Sequence, residues 1–300
     1  MSDDSGNRGK PQPSARSCVI ATYNVQNLFA ADASQPKPGA ARRALIRTIN
    51  RLGADVLVLQ EVGSKPTLQA LNDDLRDPFP WSDLLPGNSM RSIHIGYLSR
   101  YPMTLTSHRH WPLVLAEADG SRWYASAEDA LADRASALRL QRDVVLAEIE
   151  ITADLKLAVF GVHLKSHGNP SWQTVSASAI RRAECQAVVD IVSAFRRRHP
   201  EVGVVIAGDF NDRPDGEALE PLQQLDLVDP LEGILTRTGK RPSSYWPKRR
   251  ARFDRLLVTP ALLPRVAEST TCIHASNLAR TASDHYPVTL GLEWPRNRSE

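Results

Sequence analysis

Acids, amides and histidines recur where short apolar runs stop. Residues 18–23 run into Asn24, residues 56–59 into Gln60 and Glu61, and residues 158–162 into His163-Leu164-Lys165-Ser166. Residues 204–207 run into Gly208-Asp209-Phe210-Asn211-Asp212, Asp254 opens a further apolar run, and Ser283-Asp284-His285 precedes the last one. Any one cluster reads as a turn, since Gly, Asn and Asp favour turns. A whole series of them needs more, and the chemistry that uses this set is hydrolysis of a phosphate ester assisted by a divalent cation. A hard cation such as Mg²⁺ prefers oxygen ligands and keeps several waters, so one or two carboxylates such as Glu61 and Asp284 suffice to anchor it. It would neutralise phosphate charge and stabilise the leaving oxygen. Asp209 and Asn211 are two apart, so in an extended strand end both project to one face, where they would polarise a water and hold a phosphate oxygen. His285 needs an acid to fix its tautomer, and Asp254 is the candidate. His163 would donate to a non-bridging phosphate oxygen as negative charge builds.

The elements that must carry these residues are legible in the hydrophobic pattern. Runs rich in β-branched residues predict strands at 18–25, 55–60, 93–98, 144–151, 157–164, 202–207, 253–258 and 287–292. Apolar residues recurring at three and four predict helices over 40–52 and 175–198, with arginines on the other face. Some strands follow one another directly, which suits two packed sheets flanked by helices better than one doubly wound sheet. The stretch 108–139 is the least regular, with a surface helix expected at 125–139. Residues 1–16 are expected to be a disordered tail, 17–294 a single domain, and 295–300 a polar C-terminal tail.

Composition bounds the remaining classes. The 300 residues are 42% hydrophobic, enough for a sizeable core, and 24% charged, with no apolar run near the roughly 18 residues that span a bilayer. Lys and Arg number 37 against 34 acids, and the net charge of +3 does not announce a nucleic-acid partner by itself. Cys18, Cys185 and Cys272 have no metal-type spacing, so free thiols in a reducing compartment are expected. The polar start lacks a secretory apolar stretch, and the expected location is cytoplasmic. No obligate protein partner is evident.

In order along the chain, ATYNVQNLF, LVLQEV, FGVHLKS, GDFND, RFDRLLV and SDHYPV resemble the motifs of the endonuclease/exonuclease/phosphatase superfamily, which includes DNase I-like nucleases. The resemblance spans roughly residues 17 to 294, with GDFND and SDHYPV the most specific pieces. It implies an α/β fold: a four-layered sandwich with two central mixed β-sheets flanked by helices, and the active site at one edge of the sheets. It implies Glu61 as the main metal ligand with Asn24 and Asp284 near it, and Mg²⁺, or Mn²⁺, as the cofactor. Asp209 would activate the attacking water and Asn211 position water or phosphate. Asp254 would pair with His285, and His163 would contact the scissile phosphate. The resemblance leaves open whether Asp209 or the Asp254–His285 pair is the general base, and whether one metal or two binds.

Departures bear on the substrate. Apurinic endonucleases continue the glutamate motif with a basic residue where this chain has Gln60-Glu61-Val62-Gly63, and they carry a tyrosine where His163 stands. Pancreatic-type deoxyribonucleases place Tyr and Glu where Arg91 and Ser92 lie. Inositol 5-phosphatases share only the Asp254-Arg255 pair of their PAWCDR-like motif. The pattern is most similar to bacterial members of the superfamily, a branch that fixes no substrate. Between Arg237 and Arg255, basic residues are interleaved with Tyr245 and Trp246, a composition suited to gripping a phosphate backbone and stacking a base. Substrate contacts are therefore expected from Arg91, Lys165, Tyr245, Trp246 and Arg252. The preferred expectation is a Mg²⁺-dependent nuclease acting on DNA or RNA. The alternative is a phosphatase or phosphodiesterase acting on a small phosphorylated metabolite or lipid headgroup.

Overall fold

The computed structural model describes residues 17–113, 139–168, 176–239, 243 and 251–294. Both tails, the helix expected at 125–139 apart from Arg139, which bridges to Pro112, and Tyr245, Trp246 and most of the basic stretch around them lie outside the described residues. One mixed sheet holds β1 (Ser17–Leu28), β2 (Val56–Val62), β3 (Trp81–Leu85), β4 (His94–Ser99), β10 (Val266–Ile273) and β11 (Val288–Glu293), in the order β10-β11-β1-β2-β4-β3. The second holds β5 (Met103–Ser107), β6 (Val144–Thr152), β7 (Leu155–His163), β8 (Gly203–Asp209) and β9 (Asp254–Val258), in that order. Each sheet has one parallel pair at its centre, β1 with β2 and β7 with β8.

Alternation along the strands sorts side chains into layers. Ile20, Val56, Val58 and Leu290 meet Val159, Val205, Ala207 and Leu256 between the two sheets. The opposite rows, Ala21, Tyr23, Leu57 and Leu59, pack on Leu45 and Ile49 of α1 (Gly39–Ile49) and Leu68 and Leu71 of α2 (Lys65–Asp73). Phe160, Val162, Val204 and Ile206 pack on Ile180, Val188 and Val192 of α3 (Ala177–Arg198) and on Leu222 of a 3-10 helix, Glu217–Leu225. The result is a four-layered α/β sandwich. Helix α3 starts where the Ser176 side chain accepts from Ala179 N and ends on Arg196-Arg197-Arg198, cations that suit the C-terminal dipole. Two shorter helices complete the set, α4 (Pro230–Thr238) and α5 (Asn277–Ala282). Among the described residues no helix is long and apolar enough to cross a membrane. All three cysteines are free, Cys18 and Cys185 buried and Cys272 half-buried.

The same parity that builds the core aims the polar residues. Asn24 continues the row of Ile20, His163 that of Val159, Asp209 that of Ala207, and Asp254 that of Leu256. All four rows face between the sheets, so where apolar residues give way to polar ones the sandwich ends in a polar pocket. His163 and Asp209 are direct partners in the β7–β8 register, and Asp209 and Asp254 in the β8–β9 register.

Candidate active site

A cavity of about 580 Å³ opens at this edge, lined by Asn24, Glu61, Arg91, Arg142, His163 and Asp209 among others. Asn211, Asp284, His285, Phe253 and His167 complete its wall. Asp209 is its centre. Asn24 Nδ2 reaches across from the other sheet to donate to Asp209 Oδ2 at 2.9 Å. Asn211 donates twice, from Nδ2 to Oδ2 at 3.1 Å and from its backbone N to Oδ1 at 2.9 Å. His163 Nε2 lies 3.6 Å and His285 Nε2 3.8 Å from the same Oδ2. Sequence spacing predicts that Asp209 and Asn211 share a face because the strand continues. Instead β8 stops at Asp209 and Asn211 turns into the left-handed region at φ 50°, which brings its amide back to the carboxylate.

Backbone strain is concentrated here. Gln26, Asn27 and Glu61 also have left-handed φ values of 48°, 52° and 66°, and each such L-residue costs about 1–2 kcal/mol outside glycine. The costs are offset by hydrogen bonds that set the polar groups: Gln26 N donates to Asn24 Oδ1 at 3.0 Å and Asn27 N to Glu61 Oε2 at 2.9 Å. Strain of this kind clusters at functional sites.

The two histidines are shifted in opposite directions by their surroundings. His285 Nδ1 bonds Asp254 Oδ2 at 2.7 Å. Burial alone would lower the imidazole, but Asp254 and Asp209 outweigh it and push His285 up to about 10. His163 is lowered well below its ordinary value by burial, Arg142 and His285. Burial raises the Asp209 carboxyl, opposed by the His285 charge and assisted by Asp254. Asp209, Asp254 and His285 bring one ligand atom each within 4.8 Å of one another, a spacing some metals use. The 2.7 Å bond from His285 Nδ1 to Asp254 Oδ2 also makes the trio an acid-oriented histidine facing a second carboxylate. Asn24, Glu61 and Asp284 offer an all-oxygen donor set on the wall of the same cavity, the kind a hard cation takes.

The expected substrate contacts divide. Arg91 lines the cavity and donates to Asn27 Oδ1 at 2.6 Å. Lys165 is turned away: buried, its Nζ donates to the carbonyls of Ser166 and Gly168, and its backbone N to Glu184 Oε2 at 2.6 Å. Arg252 is also buried away from the cavity, paired with Asp229 at 2.5 Å and with Glu232. Both lie just outside a strand, where alternation no longer dictates direction. His94, on β4, accepts from Gly87 N at 3.1 Å and is structural.

Two cations escaped the sequence reading. Arg142 lies two residues before the start of β6; it lines the cavity while its Nη1 donates to Leu164 O at 3.0 Å, the same carbonyl that takes Asn211 Nδ2. Lys37 reaches in from the β1–α1 loop, and burial lowers its ammonium to about 8 against the opposing pull of Asp284 and Glu61. No local pattern marks either residue.

Residues 21–285 match the model of the endonuclease/exonuclease/phosphatase family. The chain belongs to that family. No curated protein matches it in sequence. Among solved structures, the human Nocturnin catalytic domain with bound sulfate superposes with a TM-score of 0.59 at 13% identity, covering 92% of this chain and 94% of that one. Truncated Caenorhabditis elegans TDP2 gives 0.57 at 16%, covering 93% and 98%. The 3′ phosphatase NExo from Neisseria, bound to product DNA hairpin, gives 0.57 at 18%, covering 92% and 100%. At these identities the likeness is one of fold. A family of endonucleases, exonucleases and phosphatases is one of phosphoester hydrolases, and this chain is a member by motif and by architecture.

Proposed function

We propose that this family member is a divalent-metal-dependent nuclease, hydrolysing phosphodiester bonds in DNA or RNA by attack of water. The observation that carries the reading is the convergence on Asp209 of Asn24 from one sheet and of His163, Asn211 and His285 around it. Glu61, with Asn24 and Asp284, would hold Mg²⁺ or Mn²⁺, which supplies charge neutralisation at the phosphate and the leaving oxygen when bound.

The protein's own groups divide the remaining work by charge state. Asp254 and Asp209 hold the His285 imidazole well above its ordinary value, which favours its cationic form and makes it a poor acceptor for the proton of water. That proton goes to Asp209, a carboxylate made more basic by burial and oriented by the amides of Asn24 and Asn211. Neutral His163 has one N–H to give to a phosphoryl oxygen, and the His285 cation stabilises negative charge as it builds there. The new bond joins water oxygen to phosphorus, the bond to the leaving oxygen breaks, and the proton taken by Asp209 ends on that oxygen. The products are a phosphomonoester and a hydroxyl.

Arg91 and Arg142 on the same wall suit a substrate carrying more than one phosphate and disfavour a cationic lipid headgroup. Exposed His167, its ring 5.7 Å from that of buried Phe253 in the cavity wall, offers a surface for a base. The DNA product in the similar Neisseria structure supports the same direction. The cavity volume favours a second reading, a small phosphorylated metabolite, because about 580 Å³ is the size of a small-molecule site. Single- and double-stranded DNA and RNA, nucleotides and sugar phosphates, each incubated with Mg²⁺ and with EDTA, separate the two. Faster metal-dependent turnover of nucleic acid is expected; turnover confined to small phosphates would overturn the nuclease reading.

A further inference from the structure

Lys37 is only 8% exposed, and its Nζ donates to Val25 O at 2.8 Å and Gln26 O at 3.1 Å. Burying an ammonium is costly, and here the cost is offset by the charges of Asp284 and Glu61 nearby and by two carbonyls of one short segment, which fix where the ammonium sits. That segment is the strained end of β1. Asn24 within it orients Asp209, and Asn27 within it fixes Glu61 through its backbone N–H. The two carbonyls that Lys37 holds flank the left-handed turn at Gln26 and Asn27, where the β1–β2 register shifts between Asn24 and Leu28. An aliphatic side chain of the same length would fill the space without imposing any direction on those carbonyls.

We propose that Lys37 is a positioning residue of the metal site, clamping the β1 turn so that Glu61 and Asn24 present their oxygens in a fixed arrangement. The proposal rests on the metal reading given above. Lys37 takes no part in the chemical step; it acts through the turn, as groups behind a metal's ligands do when they set ligand orientation. Pro38, which follows Lys37 and sits at the N-cap of α1 with φ −53°, stiffens the backbone that carries the lysine.

Calorimetric titration of the metal-free protein with Mg²⁺ and with Mn²⁺ tests it, on wild type, Lys37→Met, Lys37→Arg and Leu262→Ala. Leu262 is buried in the core between the sheets, so its truncation lowers stability without touching the site. Lys37→Met is expected to weaken metal binding about 10–100-fold, the usual effect of removing an outer-shell partner. Lys37→Arg, which can still donate to carbonyls, should recover part of the loss, and Leu262→Ala should bind as wild type does. Equal affinity in wild type and Lys37→Met would overturn the role of Lys37 alone. An equal loss in Leu262→Ala would also overturn it, as would a Lys37→Met chain that fails to fold beside a folded Lys37→Arg with unaltered affinity and unaltered melting temperature. Absence of binding by wild type would overturn the metal reading itself, a result distinct from the others.

Discussion

His163 and His285 face one oxygen of Asp209, yet their surroundings shift them in opposite directions. The difference comes from their second neighbours. Asp254 stands behind His285, while Arg142 lies near His163. This has a consequence for stability of the metal-free protein. An unfolded histidine titrates near about 6.5. His285, raised in the native state, contributes stability that is complete below about pH 6.5 and is lost as pH climbs towards about 10. His163, lowered in the native state, has the opposite effect, since the unfolded chain takes up a proton below about 6.5 that the native chain refuses. In denaturant unfolding in EDTA each histidine should contribute a slope of at most about 1.4 kcal/mol per pH unit, His285 a negative one above about pH 6.5 and His163 a positive one below it. Asp254→Asn should flatten the alkaline side. An unchanged alkaline slope in that variant would contradict the assigned charge on His285.

At the scale of elements, the site depends on how closely β7 and β8 approach where they end. Gly208 has φ 159°, and a Cβ there would sit 1.9 Å from Val162 O, an atom of the neighbouring backbone that cannot move aside. The glycine of GDFND is thus a packing requirement that keeps His163 level with Asp209. Gly208→Ala is expected to cost about 3 kcal/mol, at the upper end of overpacking effects. It should also lower activity beyond what unfolding explains, because the strand ends must separate. Urea midpoints together with activity per folded molecule check both parts. The strands that the sequence did not announce have a common cause: β3, β5 and β10 are edge strands. Residues of β5 are mostly exposed or half-buried, as are those of β10, so their side chains lack the continuous apolar run by which the central strands were recognisable.

Over the whole molecule, the fold class and the cluster of polar strand ends were legible because both depend on residue type and a period of two. Asn24, His163, Asp209 and Asp254 stand where apolar runs stop, and it is the order of the strands in the two sheets that brings those ends to one edge. Lys165, two residues after His163, and Arg252, two before Asp254, turn off the cavity because period two no longer dictates direction once the strand has stopped. Lys37 and Arg142 were invisible for the converse reason, since their partners Val25, Gln26 and Leu164 are brought to them only by the fold. The net charge of +3 hides this arrangement, with carboxylates at the strand ends and two guanidinium groups on the same wall. If those groups meet a nucleic-acid backbone, binding should weaken with salt. Arg91→Ala should then lower the slope of log affinity against log salt by about 1. An unchanged slope would remove Arg91 from the substrate path.

The central claim is that Asp209 takes the proton of the attacking water in a metal-dependent hydrolysis. Its most direct test is the single-turnover cleavage rate of an end-labelled oligonucleotide in Mg²⁺, for wild type and for Asp209→Asn. The asparagine keeps the shape and loses the base, so the rate should fall by about 10²–10⁴, the range of a lost general base, and wild type should show no cleavage in EDTA. Cleavage by Asp209→Asn at the wild-type rate, or by wild type in EDTA, would contradict the account.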